Sequence, residues 1–472
     1  MATLHPDMTS RLAMNNYRTF NPATGELLQE YATLNDARAR LLLEEAHEAY
    51  LAWRSEPLSR RIELFRNLAN IIDANIDRLA RQITVEMGKP LEQAKFEVRM
   101  PSAMLRYYAD HAVELLSDSP VAVSGFSRVY TRREPVGAIV CIEPWNGPLY
   151  QAMRAAAPNL MLGNTIVLKP AEITAGSTLM LEGLFTEAGF PESVFQVALA
   201  SKEQIWNYIA DPRVRGVTLT GSDRAGAVIG EQAGRHIKPM VLELGGSDPF
   251  IVLDSADVVA AAATAAMCRL ALGGQICISP KRVIVTEKVA DAFINAYSEI
   301  FRNQRIGDPL DRQTTLGPLS SPMAVDTLQA QYDDAIAKGA KVLVEGGRMF
   351  GAGAYFKPAV LAGITPDMRL HREEAFGPVG IIYRVAGAEE AVALANHNPY
   401  GLGGTVYGLD LEEANWVAQA LDTGMVGINQ YLGAPIEIPF GGTKASGVGR
   451  ELGSTGMDAF SNIKTYALAC LR

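Results

Sequence analysis

The chain has 472 residues, more than one small core can use, so two or three domains are expected. With 48 % hydrophobic and 20 % charged residues it has the balance of a soluble globular protein, and a net charge of −9 argues against nucleic acid as a partner. No apolar run approaches the length of a membrane span, and the four cysteines show neither metal-ligand nor disulfide-framework spacing; no membrane, no metal and a reducing, cytoplasmic setting are expected.

Residues 1–16 lack the apolar stretch of a signal peptide. Residues 17–31 read as two short strands about the turn Asn21-Pro-Ala-Thr-Gly25. Asn35 or Asp36 then caps a long helix reaching Trp53, and helical periodicity recurs over 60–75, 76–87 and 90–116. This block reads as a scaffold. The segment 124–133 alternates polar and apolar residues, as an exposed strand or hairpin does.

From residue 138 the pattern changes. Short apolar runs at 138–142, 165–168, 193–197, 216–219 and 240–242 are separated, in several cases, by helical stretches at 149–162, 174–188, 202–210 and 225–233. That alternation predicts a doubly wound parallel sheet, with ligands bound outside the carboxyl ends of its strands. A second alternating block follows, with strands at 282–286, 341–344, 360–361, 379–383, 404–407 and 427–429 and helices at 288–303 and 325–338. It predicts a second α/β domain.

Residues able to do chemistry sit at the edges of these runs. Lys169 and Glu172 follow a strand, where a carboxylate can accept ribose hydroxyls and repel a 2′-phosphate. Leu219-Thr-Gly221-Ser222-Asp-Arg-Ala-Gly226 reads as strand, turn and helix start, a place for a pyrophosphate. Asn146 follows the strand that ends in Ile142-Glu-Pro-Trp145, and a carboxamide there can donate to an oxyanion. Glu243 closes a strand before a double glycine, and Cys277 follows Gly273-Gly-Gln-Ile. Singly these are weak signals, because a lone cysteine is usually a small buried hydrophobe and a strand-end glutamate a solvated charge.

Together they carry more. Leu242-Glu-Leu-Gly-Gly246 followed by Gly274-Gln-Ile-Cys277, with Pro144-Trp-Asn146, the Gly-Ser turn at 221–226, Glu373-Glu-Ala-Phe-Gly-Pro-Val379 and Pro439-Phe-Gly-Gly442, resembles the aldehyde dehydrogenase superfamily. The agreement runs from Asn21 to Gly453. The resemblance implies an α/β aldehyde dehydrogenase-like fold of two doubly wound parallel-sheet domains plus a small oligomerisation sheet. It divides the chain into an NAD-binding domain (1–117 and 137–245), a catalytic domain (246–445) and oligomerisation segments (118–136 and 446–472) of a homodimer or homotetramer.

The same resemblance implies roles. Cys277 is the nucleophile, Glu243 the general base, and Asn146 with the Cys277 N–H the oxyanion donors. Glu451 either supports Glu243 in proton relay or forms a structural ion pair. The cofactor is NAD, with NADP possible, held by Ile142, Trp145, Lys169, Glu172, Gly221, Ser222, Gly226, Leu244, Glu374 and Phe376. Family members often have a Gly-rich turn near 197–204, where this chain has Ala198-Leu-Ala-Ser-Lys-Glu203. Arg154 matches a carboxylate-binding arginine of succinate-semialdehyde dehydrogenases, and Gly147, Arg154 and Phe440 are expected to meet the substrate. Ala271 and Pro435 stand where some of those enzymes place a further Arg and a Ser, and Gly147 replaces the usual Phe. A bulkier aromatic or general aldehyde is the alternative. Glu243 favours hydrolytic release over transfer to coenzyme A, and the complete set Asn146, Glu243 and Cys277 argues against a silent relative.

Overall fold

The computed structural model describes residues 16–470; the leader reading of residues 1–15 lies outside them. Strands β1 (Asn16–Phe20) and β2 (Leu27–Ala32) form an antiparallel hairpin. Helices α1 (Asp36–Trp53), α2 (Leu58–Ala74), α3 (Ile76–Met87) and α4 (Leu91–Leu115) follow. Asn35 starts α1 by accepting the Arg38 N–H at 2.8 Å, satisfying one of the free donors of the first turn. α3 ends at Gly88 in the left-handed conformation (φ 82°), and a Cβ there would lie 2.7 Å from Pro318 Cγ. That sharp stop directs the next residue, Lys89, inward.

β3 (Ser119–Pro120) and β4 (Phe126–Pro135) pair with the C-terminal strand Ser461–Ala469 in a three-stranded antiparallel sheet. The rings of Tyr130 and Tyr466 stack across it at 5.0 Å, and Phe126, Ile463 and Leu468 remain exposed.

The first parallel sheet contains β5 (Ala138–Glu143), β6 (Thr165–Pro170), β7 (Phe195–Val197), β8 (Val214–Thr220) and β9 (Met240–Glu243). Their order is β9-β8-β5-β6-β7, with Gly447–Val448 added antiparallel beside β9. Helices α5 (Pro148–Leu162), α6 (Ala175–Glu187), α7 (Lys202–Ala210) and α8 (Asp223–Arg235) make the connections. The strand order reverses between β5 and β8, so a crevice opens at their carboxyl ends. Ile142 pairs with Leu219 and Thr220 with Glu243. Glu143, Thr220 and Glu243 therefore form one row across three neighbouring strands. Residues level in parallel strands share a face, so this row is set by backbone register.

The second sheet is built around β10 (Asp248–Val252) and β11 (Pro280–Thr286), with α9 (Val258–Leu270) between them and α10 (Glu287–Arg302) and α11 (Pro322–Ala337) after. Strands Ala359–Ala362 and Val379–Val385 extend it beyond β11, and Gly403–Tyr407 and Met425–Ile428 beyond β10, all parallel. Only Lys341–Val344 at its edge runs antiparallel. The expected fold of two doubly wound parallel-sheet domains and a small antiparallel sheet is present.

Boundaries differ where the backbone leaves the allowed strand region. The strand expected over 193–197 begins at Phe195 because Ser193 takes φ 64°. The one expected over 427–429 spans Met425–Ile428 and stops at Asn429, which takes φ 54°. The unusual turn at 198–203 ends in a helix start, where Ser201 and Gln204 form a reciprocal capping box on α7.

Candidate active site

Cys277 lies in the loop between α9 and β11, at the amino end of β11. Three successive residues before it, Leu272, Gly273 and Gly274, have left-handed φ values of 54°, 61° and 74°. For Leu272 this is a strained conformation, held by its surroundings. At Gly274 a Cβ would collide with the Gly377 carbonyl, so only glycine allows the two loops to touch. Arg269, fully buried, fixes that contact. Its guanidinium donates to the carbonyls of Gly274 (3.0 Å), Val379 (2.9 Å), Ala375 (2.6 Å) and Gly377, and to the Ser279 hydroxyl (2.9 Å). The Cys277 loop and the Glu374 loop are one unit.

Asn146 Nδ2 donates to the Gln275 carbonyl at 3.0 Å, which ties the turn after β5 to the same loop. An amide has two N–H donors, so one is left for an oxyanion. The turn is held from behind by Lys89, which donates to the Asn146 carbonyl at 2.9 Å and pairs with buried Glu97. Glu97 in turn accepts the Leu149 and Tyr150 N–H groups at 3.0 and 3.3 Å, capping the start of α5. Glu86 does the same for α6, accepting from Gly176 and Ser177 N–H at 2.9 Å each. The segment Glu86–Pro90 thus positions two helix starts.

Glu243 is 2 % exposed and neither of its oxygens has a hydrogen-bond partner among the described residues. Burial raises its pKa well above the usual carboxylate range, Arg154 opposing and Glu451 adding to the shift. Glu143, in the same row, is equally buried and unpartnered; burial and then Glu451 raise its carboxyl too. Glu451 pairs with Arg154 Nε and accepts the Thr218 hydroxyl at 3.1 Å. Arg154 Nη2 donates to Thr220 Oγ1 at 3.0 Å. Burial works against the arginine's charge, and Glu451, Tyr150, Glu243 and Cys277 together outweigh it. Arg154 was expected to face a substrate carboxylate. Its Nε and Nη2 are instead committed to Glu451 and Thr220, while its guanidinium carbon sits 4.5 Å from the Phe440 ring centroid.

Two cavities meet at Cys277. One, of about 470 Å³, is lined by Gly147, Tyr150, Arg154, Tyr431, Phe440 and further, mostly apolar residues, with Lys89, Glu92, Gln93 and Glu97 among them. The other, of about 300 Å³, is lined by Trp145, Thr220, Gly221, Ser222, Glu243, Leu244, Glu374 and Phe376. Asn146, Gln151 and Cys277 line both. Burial pushes the Cys277 thiol up to about 11, against the pull of Lys281 and Arg154.

The second cavity lies at the reversal of strand order, and its residues suit a dinucleotide. The rings of Trp145 and Phe376 meet edge to face at 5.7 Å. Ser222 caps α8 by accepting the Ala225 N–H at 3.2 Å, leaving its own proton free to donate. Gly226 is required because any Cβ would run into Leu244. Lys169 and Glu172 stand at the end of β6, outside this cavity's lining, with Nζ and Oε1 3.9 Å apart. Burial lowers the Lys169 pKa. Ile142 and Gly226 are also outside the lining.

The model of the Aldehyde dehydrogenase family matches residues 9–466. The chain belongs to the aldehyde dehydrogenase family. A succinate-semialdehyde dehydrogenase [NADP(+)] of Deinococcus radiodurans is 46 % identical over 449 residues, covering 95 % of this chain and 94 % of that one. One of Mycolicibacterium paratuberculosis is 41 % identical over 450 residues, 95 % of each chain. The crystal structure of succinic semialdehyde dehydrogenase from Streptococcus pyogenes in complex with NADP+ superposes with a TM-score of 0.94 at 39 % identity, covering 96 % of this chain and all (100 %) of the other.

Within this aldehyde dehydrogenase, sequence reading missed Glu143, Glu97, Lys89, Arg269 and Lys281 as parts of the site. Only Glu143 left a usable trace, a carboxylate directly at the end of an apolar strand run. Its raised folded-state pKa has a consequence for stability. The contribution of the neutral acid is fully present below its unfolded value and is lost, at about 1.4 kcal/mol per pH unit, as pH rises from that value to the raised folded one, because only the unfolded state ionises in that window. Glu143→Gln, neutral throughout, should therefore raise the urea midpoint more at about pH 9 than at about pH 6. Equal changes at both would mean that Glu143 is not the buried neutral acid described.

Proposed function

We propose that the protein oxidises succinate semialdehyde to succinate with NAD(P)+, through a thioester on Cys277. The observation that carries this is the position of Cys277 at the meeting of an apolar cavity and a second cavity at the strand-order reversal. The thiol gives up its proton with Glu243 as acceptor, and the thiolate adds to the aldehyde carbon. The oxyanion accepts from the spare Asn146 N–H and the Cys277 backbone N–H. A bound nicotinamide would supply the acceptor for the hydride that leaves this carbon. The resulting thioester is attacked by water, Glu243 takes the water's proton, and the thiolate leaves. Glu451, paired with Arg154, supports Glu243 from behind, and Thr220 and Glu143 flank the proton's way out. Trp145, Gly221, Ser222, Leu244, Glu374 and Phe376 would hold the dinucleotide, with Lys169 and Glu172 at the adenosine ribose.

The relatives are named for NADP(+), yet Glu172 places a carboxylate where a 2′-phosphate would approach. We assign NAD as the preferred cofactor, with NADP accepted through Lys169. The exposed antiparallel sheet of β3, β4 and 461–469 suits assembly into a homodimer or homotetramer. Among the described residues no helix is long and apolar enough to cross a membrane, which suits a cytoplasmic enzyme.

For the substrate, the names of the relatives and the Arg154 cation in the cavity wall support the semialdehyde. A second reading, a bulkier uncharged aldehyde, is favoured by one observation. Gly147 leaves room in the apolar cavity, for its φ is not left-handed and the nearest atoms to a Cβ there would be Gln151 Cγ at 3.4 Å and Tyr150 Cδ1 at 3.6 Å, ordinary contact distances.

Glu243→Gln should give a burst of NADH of about one equivalent per site and then stall. Steady turnover at the parent rate would assign the water to another base. Arg154→Ala should lower the ratio of kcat/KM for succinate semialdehyde over a similar uncharged aldehyde by about ten- to a hundredfold. Equal losses would confine Arg154 to Glu451 and move the assignment to the second reading. Glu172→Ser should raise kcat/KM for NADP relative to NAD by about tenfold; an unchanged ratio would remove Glu172 from cofactor choice.

A further inference from the structure

Lys281, the second residue of β11, is 1 % exposed. An ammonium has three N–H donors. Here Nζ donates to the carbonyls of Ile276 (2.7 Å) and Cys277 and lies 2.9 Å from Glu374 Oε1. All three donors are thus directed at the nucleophile's loop or at the wall of the second cavity. Glu374 Oε1 also accepts the Gly246 N–H at 3.2 Å, while Oε2 carries neither bond. One charge therefore fixes the direction of the Cys277 backbone and orients a carboxylate of the neighbouring cavity.

We propose that Lys281 is a positioning residue that prepares Cys277 before any dinucleotide binds, its ammonium favouring the thiolate and holding Glu374 at a fixed distance from it. This rests on the reading of Cys277 as nucleophile. The charged and titratable groups around the thiol are Lys281 on β11, Arg154 and Tyr150 on α5, Asp248 on β10, Glu374 on the loop before strand 379–385, and Tyr431, with Glu243 on β9 lining the same cavity. Lys281 and Arg154 favour the thiolate, and Glu374 and Asp248 oppose it. Lys281 and Glu374 are the pair in direct contact, so deleting one exposes the thiol to the other. Removing the lysine takes away an attraction and also leaves the Glu374 charge unbalanced beside the sulfur.

The test uses the enzyme without dinucleotide. Iodoacetamide alkylation follows the thiolate, which displaces iodide, so its rate against pH gives the thiol's midpoint. Mass spectrometry locates the label. In Lys281→Met the midpoint should move up by about one pH unit, so that alkylation at about pH 8 slows about tenfold. In Glu374→Gln it should move down. In the double variant it should return close to the parent value, because both charges are gone; a loop merely displaced by losing Lys281 would not be corrected by Glu374→Gln. An unchanged midpoint in Lys281→Met, or a double variant as displaced as Lys281→Met, overturns the proposal. If Lys281→Met does not fold, the other two variants decide it: the midpoint must fall in Glu374→Gln and rise again in the double variant, and an unchanged midpoint in Glu374→Gln overturns it. Loss of NADH formation on labelling at Cys277 tests the nucleophile reading separately, whatever the midpoints do.

Discussion

Everything in this site follows from taking a thiol and a carboxylate out of water. A dry site strengthens each directed interaction, but it disfavours the ionised form of both groups that the proposed reaction uses. Burial pushes Cys277 to about 11 and raises Glu243 as well. The site works only if fixed positive charge is brought close enough to offset part of that cost. Arg154 stands near both groups, Lys281 beside the thiol and Arg450 beside Glu243. Buried cations need partners of their own, and Glu451 and Glu374 supply them.

Those charges are useful only at fixed distances, and the scaffold provides the distances. The first helices end at Gly88 and send Lys89 and Glu97 to the turn that carries Asn146. Arg269 locks the Cys277 loop to the Glu374 loop through four carbonyls and the Ser279 hydroxyl. The row Glu143, Thr220, Glu243 is set by the register of β5, β8 and β9. The amino end of β11 faces the carboxyl ends of the first sheet, and that opposition places one sulfur on two cavities.

Asn146, Glu243 and Cys277 were legible in the sequence because each closes a strand or glycine turn within a short motif. The alternation of strand and helix was legible for the same local reason. Arg154 shows where local reading ends. Its match to a carboxylate-binding arginine pointed to the substrate, and nothing local announced that it also pairs with Glu451, 297 residues away. Glu143 looks like a charge before a proline until strand register puts it in one row with Thr220 and Glu243. Arg269 and Lys281 bind backbone carbonyls, which leave no pattern in side-chain sequence. Ser193 and Asn429 shifted strand ends by adopting left-handed backbone that propensity does not encode.

The most direct measurement is acid quenching of the enzyme within its first turnover, with aldehyde and NAD(P)+ present, followed by mass analysis of the peptide that contains Cys277. The account predicts an acyl adduct of the substrate on Cys277 that is absent when the dinucleotide is left out. An adduct on another residue, or turnover with none on Cys277, would contradict it.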